Sequence, residues 1–185
     1  MSAETWRGGT GHLAVRLVRA FGCIESLLAR PAWDLERRPA AGGWSAAEVA
    51  EHVALTNHHL LLLVEKIADR ARTRAERGEL PTEAVSPTGD LARIAERGFR
   101  WESPEHMVPR GSATPRELAR TLRGQRRRCL APLLAMREGE GALHAISMSV
   151  VGAKLDLYQF LTVIALHLER HAAQMERALG VRDRP

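Results

Sequence analysis

Two of the eight histidines in this 185-residue chain stand four apart, in His167-Leu168-Glu169-Arg170-His171. Residues four apart on a helix are neighbours on one face. Two imidazoles so placed can hold one metal ion, and a facing helix can supply a third donor. His52 is the candidate for that third donor. It lies three residues after Val49 and one before Val53, and a step of about 100° per residue keeps it on the apolar side of its helix. His167 follows Ile164 by three residues, and His171 precedes Met175 by four, so both belong to one apolar face. Glu169 is turned about 200° from His167 and is expected to face solvent, which excludes the HExxH arrangement in which a glutamate serves as general base.

Three neutral imidazoles leave at least one coordination position open, and open positions suit catalysis or substrate binding, whereas structural zinc is closed by four ligands. Nitrogen donors of this kind suit a divalent Zn, Ni, Fe or Cu ion. Gln174, three residues after His171, is a candidate outer partner for a ring nitrogen. His59, two turns after His52, and Tyr158 are candidate polar residues of the pocket, with His144 as a reserve ligand. A plainer reading stays open beside this one, in which the histidines edge the core with local hydrogen bonds. Burying three imidazoles without partners would be costly, however. Cys23 and Cys129 form no CxxC-type pair and are expected to be packed thiols.

Four helices must position these residues. The first is expected from about Thr10 to Arg30, with Leu13, Leu17, Phe21, Ile24 and Leu28 as its stripe and Pro31 as its stop. The second begins at the capping box Ser45-Ala46-Ala47-Glu48, with Trp44 and Val49 as a hydrophobic staple, and ends at Gly78. The third begins at Thr114-Pro115-Arg116-Glu117 and carries Leu118, Leu122, Cys129 and Leu133, with Pro132 as an internal kink or stop. The fourth is capped by Asp156 with Gln159 at its third position, and ends at Gly180. A long connection, about residues 79–113, separates helices two and three and holds a short helical candidate at Asp90–Glu96. Connections of that length usually cover something or act. No strand pairing is convincing in the second long connection, about residues 138–155. The pattern predicts an all-α, four-helix bundle forming a single domain over residues 1–185, with its core at about 10–180.

Composition narrows the function. Hydrophobic residues make up 45% of the chain, which is ordinary for a globular protein. No apolar run approaches the ~18 residues that span a bilayer, so no membrane association is expected. No signal-peptide pattern opens the chain, and a cytoplasmic location is the default. The net charge of +5 comes almost entirely from arginine, since Lys66 and Lys154 are the only lysines. Arg126-Arg127-Arg128 could form a basic surface, but aromatic residues are only 4% and no recognition motif accompanies the charge. Nucleic acid is therefore not the expected partner.

Taken together, Trp44-Ser45-Ala46-Ala47-Glu48-Val49-Ala50-Glu51-His52 and His167-Leu168-Glu169-Arg170-His171-Ala172-Ala173-Gln174-Met175 resemble the DinB-like (DinB/YfiT) superfamily of metalloenzymes. Phe99, Pro104, Pro109, Gly111 and Thr114-Pro115-Arg116-Glu117-Leu118 are similar to its passage before helix three, and Gly152 with Leu155-Asp156-Leu157 to its start of helix four. The likeness covers about residues 10–180. It implies a four-helix bundle holding a divalent metal on His52, His167 and His171, and often a homodimer. Studied relatives include thiol-dependent S-transferases and a thiol-dependent maleylpyruvate isomerase, so a low-molecular-weight thiol cosubstrate is also implied. Helix three and its flanking connection carry no thiol-cofactor motif.

Three functions compete at this point. The first is an enzyme acting on a small-molecule substrate, in which the cation activates a thiol for transfer or a water for hydrolysis. Its pocket wall is expected to include the connection around Phe99 and Trp101. The second is a non-catalytic metal-binding stress-response protein. The third is a helical interaction protein without metal.

Overall fold

The computed structural model describes residues 3–81, 89–96, 104–149 and 151–181. Phe99 and Trp101 lie outside the described residues. The chain is mostly helical: α1 spans Ala3–Leu27, α2 Ala32–Glu36, α3 Ala46–Glu76, α4 Pro115–Ala135 and α5 Leu157–Ala178. Each of α1 and α3 packs against both α4 and α5. Among the described residues, no helix is long and apolar enough to cross a membrane.

The caps form where the sequence places them. Ser45 accepts from the Glu48 amide at 3.2 Å while the Glu48 carboxylate accepts from the Ser45 amide at 2.8 Å. Thr114 with Glu117, and Asp156 with Gln159, make the same reciprocal pair. Each box satisfies N-terminal donors that a helix leaves open. The apolar stripes then bury: Leu17, Phe21 and Ile24 of α1, Val49, Val53 and Ile67 of α3, Leu122, Cys129 and Leu133 of α4, and Phe160, Ile164 and Leu168 of α5 are all fully covered.

Three expectations need correction. The first helix ends at Leu27 rather than Arg30, and Pro31 opens the short α2 instead of only stopping a helix. Proline fits there because a first turn does not need its amide proton. Pro132 does not end α4, which runs to Ala135 and closes with the Met136 amide donating to the Pro132 carbonyl at 3.0 Å. The connection before α5 does contain strands: β1, Ala145–Met148, pairs antiparallel with β2, Ala153–Asp156. Four residues per strand are too few to show a period of two. Asp156 ends β2 and caps α5 at once, so the hairpin delivers the chain directly into the helix that carries two of the histidines.

That delivery is fixed from below by Tyr158. Its hydroxyl donates to the Met136 carbonyl at 2.7 Å and accepts from the Gly141 amide at 3.1 Å. A Cβ on Gly141 would stand 2.8 Å from Leu157 Cδ2 and Tyr158 Cζ. Gly141→Ala is expected to cost about 1–3 kcal/mol through overpacking. The melting temperature should fall by several degrees; an unchanged value would mean that the start of α5 can yield.

Candidate metal centre

The three histidines come from two helices. His52 is two turns inside α3, and His167 and His171 lie one turn apart on α5. Because α3 and α5 pack face to face, the apolar stripes carry all three rings inward. Ring centroids are 5.4 Å apart for His52 and His167, 4.8 Å for His52 and His171, and 4.4 Å for His167 and His171. One nitrogen from each ring can be chosen so that all three lie within 4.8 Å of one another, and all three residues are buried.

Hydrogen bonds set the ring orientations. The His52 Nδ1–H donates to the Met107 carbonyl at 2.8 Å. A carbonyl can only accept, so this contact places the proton on Nδ1 and leaves Nε2 with a bare lone pair. His171 Nδ1 lies 2.9 Å from Gln174 Oε1, which directs its proton in the same way. Burial pushes the protonation of all three rings down, with His171 at about 3 and His167 well below the ordinary histidine value. The Arg170 cation acts in the same direction on each of the three. The rings are therefore neutral at pH 7, which is the ligand form.

A cavity of about 220 Å³ opens onto the cluster, lined by Trp44, His52, Thr56, Met107, His167, Arg170, His171 and Gln174. Trp44 packs its ring 5.1 Å from that of His52, so the residue before the α3 cap walls the cavity. Thr56, one turn after His52, is buried, and its hydroxyl has no hydrogen-bond partner among the described residues. A larger hollow of about 650 Å³ between α3 and α4 has no histidine in its lining. The chemistry is therefore read from the smaller cavity. Its donor set fits a divalent transition metal: three neutral nitrogens, two with their outer hydrogen bonds made, and a buried hydroxyl waiting for a partner.

A family model described as the DinB superfamily matches residues 20–175. The chain belongs to the DinB superfamily. The matched region contains all three histidines, the whole of α3 and α5 up to Met175. No curated protein and no solved structure matches the chain.

In this DinB-superfamily chain the sequence-chosen residues separate into two groups. His52, His167, His171 and Gln174 meet at one cavity. Tyr158 does not join them, since its hydroxyl is committed to Met136 and Gly141 at the start of α5. His59 is also absent from the lining and meets His106 edge to face with centroids 4.4 Å apart. His144 sits at the foot of β1, away from that lining. Glu169 points out of the site as expected, but to a partner: its carboxylate takes a two-bonded contact from Arg16 of α1, both at 2.7 Å. The basic run on α4 is likewise engaged, with Arg126 on Glu25 at 3.1 Å and Arg128 on Glu65 at 2.8 Å.

Sequence reasoning missed Met107, Thr56, Arg170 and Glu51. Glu51 is buried beside His52, and its carboxylate accepts from the amides of Arg110, Gly111 and Ser112 and from the Ser112 hydroxyl. These bonds strap the segment that bears Met107 onto α3. Gly111 sits at φ +66°, the left-handed turn that lets successive amides face one acceptor. An acidic residue next to a candidate ligand, followed far downstream by Pro109-Arg110-Gly111-Ser112, was the available signal.

Proposed function

We propose that this chain is a divalent-metal-dependent enzyme built as a single-domain four-helix bundle, with His52, His167 and His171 as ligands to Zn, Ni or Fe. The observation that carries the reading is the convergence of three buried imidazoles, one nitrogen of each within 4.8 Å of the others, on the lining of one small cavity. A dication held there would act as a Lewis acid that lowers the pKa of a thiol or water joining it. The preferred reaction is transfer of a low-molecular-weight thiol onto a small electrophile, with hydrolysis as the version in which water takes the thiol's place. The chain's own residues supply the rest. Met107 and Gln174 hold His52 and His171 in the ligand tautomer. Trp44 walls one side of the cavity, keeping bulk water from that flank. A homodimer belongs to the same proposal.

The test is a screen of low-molecular-weight thiols with a chromogenic electrophile, run on metal-loaded protein with and without chelator. Faster transfer in the loaded arm is expected. Equal rates in both arms would overturn metal-dependent transfer, and stoichiometric metal without turnover of any thiol or ester would favour the non-catalytic metal-binding protein.

A further inference from the structure

A second group of histidines lies outside the cavity. His59 of α3 and His106 of the single turn Glu105–Met107 approach with ring centroids 4.4 Å apart and an interplanar angle of 70°. His58 adds a ring 5.3 Å from that of His59. These separations fall within those of the buried cluster, 4.4–5.4 Å. With metal–nitrogen bonds of about 2.0–2.1 Å and bond angles of about 90–110°, two imidazoles on one ion hold their ring centres roughly 4.5–5 Å apart. His59 and His106 stand close to that separation. Their nitrogens are also uncommitted. His52 and His171 give a ring nitrogen to Met107 and Gln174, whereas among the described residues no hydrogen bond takes a ring nitrogen of His59 or His106. Burial, and then the charges of His106 and His58, hold the protonation of His59 below its ordinary value, which favours the neutral, metal-binding form. His106 is exposed and His59 half-buried, so an ion reaches them from solvent.

We propose that His59 and His106 form a second, exchangeable metal site on the surface, for a dication that favours imidazole such as Zn(II), with water completing the coordination and His58 as a flanking ring. The ion ties the Glu105–Met107 turn to α3 from outside. That turn carries the Met107 carbonyl that holds His52, so the surface ion stands one residue from a support of the buried cluster. Edge-to-face packing of the two rings is the rival account, and it predicts no metal. Two donors bind weakly: on the scale of four-ligand zinc sites, a dissociation constant of roughly 1–200 µM is expected. Dialysis against metal-free buffer removes such an ion, so it does not add to the equivalent that a buried three-imidazole centre retains. The surface pair stands whether or not the buried histidines hold a metal.

The test titrates chelator-stripped, dialysed protein with Zn(II), followed by calorimetry and by proton–nitrogen correlation spectra of the histidine rings. Beside any tight phase, one further equivalent should bind in the weak range and shift the His59 and His106 rings. His59→Ala and His106→Ala should each weaken that phase at least 10-fold and leave the tight phase unchanged. His58→Ala should weaken it by a smaller factor. His12→Ala, which removes an exposed histidine of α1, should leave it as it is. Absence of a weak phase, or a weak phase that keeps wild-type affinity in both His59→Ala and His106→Ala, would overturn the site. A weak phase on these two rings with no tight phase would sink the buried centre and still bear out the surface pair.

Discussion

His167→Ala is expected to lower metal affinity roughly 100- to 1,000-fold. Structural zinc sites with four ligands bind with about 10–16 kcal/mol, so one ligand is worth about 2.5–4 kcal/mol. Wild-type protein, loaded and then dialysed against metal-free buffer, should retain about one equivalent, whereas the variant should retain close to none. His167 is buried between α3 and α5, so helicity must be compared in the two proteins. His167→Gln, which keeps most of the volume, guards against simple loss of fold. His59→Ala is the matched control, because His59 packs edge to face against His106 outside the cavity lining. Its metal content should not change. Retention of a full equivalent by folded His167→Ala would remove the three-imidazole assignment and with it the reaction built on it.

The three-histidine cluster was legible in the sequence because it depends on a helical period. His167 and His171 are four apart, and the apolar residues around them and around His52 fix which way each ring turns. The helix starts were legible for a similar local reason: Ser45 with Glu48, Thr114 with Glu117 and Asp156 with Gln159 each act within four residues. What lies around the three rings was not. The acceptor for His52 is the main-chain carbonyl of Met107, 55 residues away, and a carbonyl has no residue-type signature. Tyr158 shows the opposite error. It shares α5 with the ligands, but nine residues at about 1.5 Å each put it roughly 13 Å along the axis from His167. A helical period gives the face of a residue but not which neighbour that face meets at each level. The β1–β2 hairpin escaped because its strands have four residues each and its apolar positions double as the approach to α5.

Glu51→Ala should disturb the candidate centre without touching any of its three histidines. The carboxylate of Glu51 is the shared acceptor of three amides and one hydroxyl, at 2.7–3.3 Å. Alanine leaves those donors to find water, and the segment carrying Met107 loses its strap to α3. The expected cost is about 3 kcal/mol of stability, since hydrogen bonds to a charged group contribute about 1.5–3 kcal/mol and partly stranded amides add to the loss. The second effect falls on His52. Without a fixed Met107 carbonyl, its Nδ1–H is no longer held and Nε2 is free to turn from the common point. Loss of such an outer hydrogen bond typically lowers metal affinity roughly 10- to 100-fold. Glu51→Gln keeps the shape but replaces one carboxylate oxygen with an amide donor, and should fall between the two. Three measurements resolve the cause: the unfolding midpoint, the metal dissociation constant, and the exchange rate of the His52 Nδ1 proton. A lower midpoint with unchanged metal affinity would make Glu51 a structural strap only. If the strap does orient His52, linkage requires the influence to run both ways. Metal added to the wild-type chain should then slow hydrogen exchange at the Gly111 amide, whose bond to Glu51 is the shortest of the four.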